Sequence, residues 1–570
     1  MDIKEQANFI WSIADLLRGN FKQSEYGKVI LPFTVLRRFD CVLAPSKEEI
    51  LERNKSLAVS NKAPIFKKYT GHDYYNVSKF DFEKLIDDSN NIDTNLKDYI
   101  NGFSDDVKEI LDNFEIATII EKLKKAGLLY LVVQKFSEIN LGADTIDNLE
   151  MGYMFEELIR KFSEQSNETA GEHFTPREVI ELMVEVLLDT DLDEITTTDG
   201  KVITILDPAC GTGGMLSIAQ NKIRALNSRT TVVPFGQELN PETYATCKSD
   251  MILKNNTNSK IVFGNSFSED GFREQKFDYI LSNPPFGVEW KKVKNFIENE
   301  SKHKGYDGRF GAGTPRISDG SLLFLQHMIS KMQPIEKGGS RIGIVFNGSP
   351  LFSGDAGSGE SEIRKWIIEK DLLEAVIGLP DQLFYNTGIS TYVWILTNRK
   401  TDRRKGKIRL INGTSFFGKM RKSLGNKRNE ITESDRKEIV RLYSTYEHDE
   451  NYIDFDNDEK KKKKITIERP LYDENREVVV EKGNPKPNSK LRDTETVPFK
   501  EDIHEYFKRE VLPHVPDAWI DEKKTKIGYE IPFTRHFYKF TPLRESSVVL
   551  DEIKQLEEKI QKYLNELFKG

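Results

Sequence analysis

The chain has 570 residues, with 84 Lys and Arg against 92 Asp and Glu for a formal net charge of −8, and 38% of it is hydrophobic. This length suits three or four domains with cores of their own and excludes a disordered polymer, and no apolar run approaches the ~18 residues that span a bilayer. Cys41, Cys210 and Cys247 are too few and too scattered for a disulfide framework or a zinc site, and the opening MDIKEQANFIW has no basic stretch leading into an apolar one. A cytoplasmic protein with no membrane partner and no metal is therefore expected.

From Asn8 to about Ile139, apolar residues recur at three- and four-residue steps, as in Phe9-Ile10, Ile13 and Leu16-Leu17. This spacing predicts an all-helical N-terminal domain over residues 1–163, punctuated by Pro32 and Pro45. The polar stretch Ser163–Gly171 reads as a linker. From Lys201 onward, short β-rich runs alternate with helical segments: Val202–Leu206, Thr231–Leu239, Lys260–Phe263, Phe277–Ser282, Arg341–Phe346, Leu372–Leu379 and Thr391–Asn398. Such alternation predicts an α/β domain over 171–400, a mostly parallel sheet of seven strands with helices on both faces. Ligands on such sheets bind at the carboxyl ends of the strands.

Residues 401–545 read as a charged, irregular extension, with the lysine run Lys460–Lys464 as a solvated hairpin or loop. Residues 546–570 end the chain in a long helix, on which Leu550, Ile553, Leu556, Ile560, Leu564 and Leu567 form one apolar stripe. That stripe suits either packing on its own domain or docking on a partner subunit.

Two stretches carry chemistry. In Ile205–Leu216, ILDPACGTGGML, a strand ends in Asp207 and enters a turn with Gly211, Gly213 and Gly214 before a helix begins. Glycines let a ligand approach the backbone, and the helix N-terminus offers free N–H groups. The order D-P-x-x-G-x-G-G differs from both G-x-G-x-x-G and the phosphate loop G-x-x-x-x-G-K-[ST]. Asp207 would suit an amino group, and Cys210 reads as a small turn residue. Glu238, at the tip of the second strand, is where ribose hydroxyls are commonly held. Asn265 and Ser266 end the third strand, where an adenine ring would lie.

In Phe277–Phe286, FDYILSNPPF, a buried strand ends in Asn283-Pro284-Pro285-Phe286. An exocyclic amine on a base is a poor nucleophile because its lone pair is delocalised into the ring. If the Asn283 side-chain oxygen and the Pro284 carbonyl accept its hydrogens, the nitrogen can pyramidalise toward a methyl donor. The prolines hold those acceptors rigidly, and Phe286 would stack on a base extruded from the duplex.

Together these motifs resemble the amino-methyltransferases that use S-adenosylmethionine, and the wider pattern resembles the modification (M) subunit of type I restriction-modification systems. Three further stretches carry the narrower likeness: Ala14–Asp40, Gly171–Met183 and Gly528–Phe540. The resemblance implies a Rossmann-like class I methyltransferase sheet, S-adenosylmethionine as cofactor, and adenine N6 in double-stranded DNA as target. It implies that Glu172, His173, Phe174, Thr175, Pro176 and Arg177 line the methionine end of the cofactor pocket. Asp207, Ala209, Gly211, Thr212, Gly213, Gly214, Glu238 and Asn265 would complete that pocket, and Phe384 would be a second aromatic on the flipped base. Thr175-Pro176 also reads as a helix N-cap with proline at the first helical position. The glycine-rich segment Ser301–Gly320 carries Lys302, Lys304, Arg309 and Arg316, which could neutralise DNA phosphates.

The partners implied are a DNA-specificity subunit, a second copy of the chain and a restriction (helicase-nuclease) subunit. Other readings are a methyltransferase for a protein glutamine or a ribosomal RNA base, and an inert scaffold. The absence of a Pro-Cys pair argues against cytosine C5 chemistry, while adenine N6 and cytosine N4 share the same amine logic.

Overall fold

The computed structural model describes residues 3–166, 175–254, 258–384, 388–424, 426–457, 461–481, 483–537 and 546–567. Residues 1–531 form one compact unit and 532–570 a second. No helix among the described residues is long and apolar enough to cross a membrane.

The regular elements of residues 3–166 are all helices. Their buried faces supply one apolar cluster that includes Phe33, Phe39, Leu96, Phe136 and Leu158. Pro32 does not interrupt the chain as its sequence position suggests, because it lies inside the helix Tyr26–Leu43. That helix is buried along nearly its whole length, and its packing outweighs the lost backbone hydrogen bond. The helical part docks on the rest of the unit through Glu109, which accepts from the Tyr244 hydroxyl and from Lys248 Nζ, both at 2.6 Å.

The central sheet contains β1 (Val202–Asp207), β2 (Thr231–Glu238), β3 (Lys260–Phe263), β4 (Tyr279–Ser282), β5 (Arg341–Asn347), β6 (Leu373–Gly378), β7 (Thr391–Thr397) and β8 (Lys407–Asn412). After a hairpin of β9 (Gly418–Leu424) and β10 (Lys427–Glu430), β11 (Tyr452–Asp456) completes it. The order is β11-β8-β6-β7-β5-β4-β1-β2-β3, nine strands where the sequence predicts seven. The neighbours from β3 to β5 are all parallel, whereas β7 runs antiparallel between β5 and β6. Every residue of β6 and β7 is buried, the continuous apolar texture of strands covered on both faces.

The sheet thus extends past residue 400. Arg409 on β8 forks onto Asp454 on β11 with both bonds at 2.7 Å, so strands rich in charge still pair at the sheet edge. The lysine run is also not a loop. The strand Lys461–Glu468 forms the middle of a second sheet, with Asp493–Pro498 on one side and Trp519–Ile520 and Lys526–Tyr529 on the other. Two of its amines have acidic partners, Lys462 with Glu530 and Lys464 with Asp355 at 3.0 Å, and Lys463 Nζ donates to the Glu501 carbonyl at 2.9 Å. The second unit contains the helix Ser546–Leu567, on which Leu550, Ile553, Leu556, Ile560 and Leu564 are exposed.

Candidate active site

The carboxyl edge of β1, β2 and β3 brings the first motif together. Asp207 ends β1 almost wholly buried, and its Oδ1 accepts from the Ala209 N–H at 3.0 Å and the Ser282 hydroxyl at 2.9 Å. Burial, helped by the nearby Glu238 charge, pushes the Asp207 carboxyl up to about 7. The turn is pinned to β2 by the Cys210 N–H donating to the Gln237 carbonyl. Gly211 and Gly213 take φ values of +52° and +83°, which a side chain rarely adopts. A Cβ on Gly213 would stand 2.6 Å from Cys247 Sγ, whereas one on Gly211 would meet nothing within 4 Å, so the open side lies above Gly211. Thr212 is half-buried, and Gly214 opens the helix Gly214–Leu226.

Glu238 is fixed by backbone donors: Oε2 accepts from the Gly211 N–H at 2.8 Å and Oε1 from the Asn240 N–H at 2.7 Å. In register with it stands Phe263 on β3, and the Gly264 N–H donates to the Glu238 carbonyl. Asn265 follows directly, its Oδ1 accepting from the Phe267 N–H at 2.9 Å. Ser266 Oγ donates to the Pro208 carbonyl at 2.5 Å and joins this loop to the glycine turn. Cys210 Sγ lies 4.0 Å from Cys247 Sγ, and this contact together with burial pushes its thiol up, away from nucleophilic chemistry.

At the neighbouring end of β4, Asn283 Nδ2 donates to Thr175 Oγ1 at 3.0 Å, while Asn283 Oδ1 is buried without a partner. The Thr175 hydroxyl therefore does not cap the following helix as expected. Pro176 is the N-cap, and the helix begins at Arg177, whose Nε donates to Glu181 one turn on at 3.1 Å. Pro284 is buried and Pro285 half-buried. Phe286 and Phe384 belong to one apolar cluster, 9% and 2% exposed, so the Phe384 ring lies inside the protein and does not face an open pocket. Glu172, His173 and Phe174 lie outside the described residues.

The basic segment after β4 also differs from a glycine-rich loop. Lys302 and Lys304 are exposed on the helix Lys294–Lys304, and Arg316 is exposed with Nη2 on Ser349 Oγ at 2.6 Å. Arg309 is 12% exposed and its guanidinium is bonded to protein groups, which removes it from the expected DNA contacts. Two residues overlooked in the sequence flank Glu238. Leu239 is 60% exposed and Phe263 46% exposed, an apolar wall beside a carboxylate. The signal was an apolar residue placed directly after a strand-tip acid, where a core face has already ended. No cluster of metal-ligating residues occurs among the described residues.

Residues 147–478 match the family model of N-6 DNA methylases, and residues 6–136 match that of the HsdM N-terminal domain. The type I restriction enzyme MjaIX methylase subunit of Methanocaldococcus jannaschii is 26% identical over 471 residues, 78% of this chain and 78% of the relative. The HindI methylase subunit of Haemophilus influenzae is 31% identical over 280 residues, 48% of this chain and 55% of the relative. A type I restriction-modification methyltransferase subunit from Streptococcus thermophilus has the same fold, with a TM-score of 0.64 at 23% identity over 80% of this chain and 96% of that one. Because the N-6 DNA methylase match takes in both the glycine turn and the Asn283 strand end, and the front helices match their own companion domain, the chain belongs to the N-6 DNA methylase family, among the methylase subunits of type I restriction-modification systems.

Proposed function

We propose that the chain methylates N6 of adenine in double-stranded DNA as the modification subunit of a complex whose target sequence is chosen by a separate specificity subunit. The observation that carries this reading is Asn283 Oδ1, a buried acceptor with no partner, at the strand end beside the glycine turn. A buried acceptor left unbonded costs about 1–3 kcal/mol, a cost an incoming amine hydrogen would relieve.

S-adenosylmethionine, the methyl donor of this family, supplies a sulfonium-activated methyl group when bound. The donor set of the β1–β3 edge fits it. Asp207 would hold the amino group, Glu238 the ribose hydroxyls through its remaining lone pairs, and Asn265 with Leu239 and Phe263 the adenine ring. Ala209, Thr212, Gly213 and Gly214 would approach it by backbone, with residues 172–177 at its methionine end. Asn283 Oδ1 and the Pro284 carbonyl would then accept the two hydrogens of the target amine. That acceptance would turn the nitrogen lone pair out of the ring and make the amine nucleophilic toward the methyl group that the cofactor would supply, the nitrogen losing one proton to solvent. Phe286 would stack on the extruded base.

Lys302, Lys304 and Arg316 would neutralise phosphates, while the exposed stripe of the helix Ser546–Leu567 would dock on the specificity subunit. A second copy of the chain and a restriction subunit would complete the complex. The test supplies the specificity subunit and cofactor with a tritiated methyl group. Label should enter adenine in DNA, and Asn283→Ala should abolish labelling while retaining cofactor binding. Full activity of that variant, or label in protein or RNA instead, overturns the reading.

A further inference from the structure

Arg309 was expected to face DNA, and its surroundings assign it another task. The guanidinium carries five N–H donors, and all five are used inside the protein. Nε donates to Glu300 Oε1 at 3.0 Å and Nη2 to Glu300 Oε2 at 2.7 Å, a two-bonded fork. Nη1 donates to the Ser266 carbonyl at 2.9 Å and Nη2 to the Phe267 carbonyl at 2.6 Å. The fifth donor, on Nη1, meets His327 Nδ1 at 3.2 Å. Burial, and then the Arg309 charge, push His327 down to about 3, so the ring is neutral, and because a guanidinium can only donate, Nδ1 is its accepting nitrogen. No donor remains for a phosphate.

The two carbonyls belong to the loop that follows β3. Asn265 stands one residue before Ser266, its side chain bonded to the Phe267 and Ser268 N–H groups. Ser266 ties that loop to Pro208 in the glycine turn, and Gly264 ties it to Glu238. Below it, the Phe267 ring packs on Phe310 and Phe324 at 5.9 and 4.5 Å. A lysine could supply the charge here but not the fork and two carbonyl bonds together.

We infer that Arg309 is a positioning residue for the cofactor: with Glu300 it clamps the Asn265–Ser268 loop so that the adenine end of the cofactor pocket is preformed. This rests on the cofactor reading above. Titration calorimetry on the full chain tests it with S-adenosylmethionine and with adenosine. Arg309→Met should weaken both by the same factor, tenfold or more. In the assembled complex, KM for the cofactor should rise while kcat falls less than threefold, and affinity for a duplex should stay within twofold.

A loss of DNA affinity with cofactor binding intact would make Arg309 a phosphate contact and overturn the inference. So would weakened S-adenosylmethionine binding with adenosine unaffected. If Arg309→Met does not melt cooperatively, Glu300→Gln takes its place; it should shift both affinities about threefold in the same direction, and no shift overturns the inference. Failure of the unaltered chain to bind either ligand would instead sink the cofactor reading itself.

Discussion

Asn283 Nδ2 donates to Thr175 Oγ1 at 3.0 Å across 108 residues of chain, and this bond decides which end of the Asn283 amide is left without a partner. With the NH2 group held by a hydroxyl, the oxygen is left free for the amine of the proposed mechanism. The opposite orientation would present donors to donors. Thr175→Val should therefore lower kcat about 10- to 100-fold, a larger effect than any loss of cofactor affinity, since one aligned acceptor is worth a few kcal/mol in such sites. Thr175→Ser should restore most of the rate. Steady-state kinetics with both substrates varied would show this, and an unchanged kcat in the valine variant would remove the orienting role.

Asp207 gives a pH dependence. Burial raises its folded value to about 7, well above an ordinary carboxyl, so the folded chain holds the proton more tightly than the unfolded one. From this group, stability is greatest below about pH 4 and is lost as pH rises toward 7. An ammonium group beside it would favour the carboxylate. Cofactor affinity should tighten as pH rises from 6 to 8, while Asp207→Asn should bind weakly at every pH. The same variant without cofactor should be more stable than the unaltered chain at pH 8, by roughly 2–4 kcal/mol in urea unfolding. A flat binding profile from pH 6 to 8 would contradict the proposed contact.

Arg341 and Glu374, at the starts of β5 and β6, lie 2.7 Å apart with side chains 2% and 0% exposed. Tyr443 also donates to Glu374 Oε2 at 2.6 Å. Although burial opposes it, Arg341 and Arg404 hold the Glu374 carboxylate below its usual range. Glu374→Ala leaves a buried guanidinium uncompensated and should cost about 3–5 kcal/mol. Arg341→Met combined with Glu374→Leu should cost much less, because the desolvation penalty goes with the pair. Urea midpoints of the two variants measure the difference, and equal losses would mean that packing alone sets the stability there.

The parts legible in the sequence are those whose chemistry is contiguous. The turn from Asp207 to Gly214 and the strand end at Asn283 are each written within ten residues, and the strand–helix alternation between them is local patterning. Features that depend on distant partners were hidden. The lysines of the strand Lys461–Glu468 look solvated because Glu530 and Asp355, which neutralise them, are far away in the chain. The edge strand β11 and its neighbour β8 are disguised by Asp454 and Arg409, whose charges cancel only when the strands pair. Arg309 reads as a surface cation until Ser266 and Phe267, 43 and 42 residues earlier, supply the carbonyls it holds. Phe384 reads as available to a base because its loop looks exposed, yet its ring finds the core.

The helix Ser546–Leu567 makes the last prediction. Leu556 and Ile560 are 57% and 56% exposed, one turn apart on a stripe that continues to Leu550, Ile553 and Leu564. An apolar face of this length in water is a docking surface or an aggregation hazard, and 22 residues give six turns for a partner helix to pack against. Leu556→Asp with Ile560→Asp should leave cofactor binding and the urea midpoint of the remaining chain unchanged. On the proposed reading DNA methylation should fall at least a hundredfold, because the chain would no longer join a specificity subunit. Gel filtration of the mixed subunits separates the outcomes: survival of the complex would show that this stripe is not the contact, and assembly would then depend on another surface.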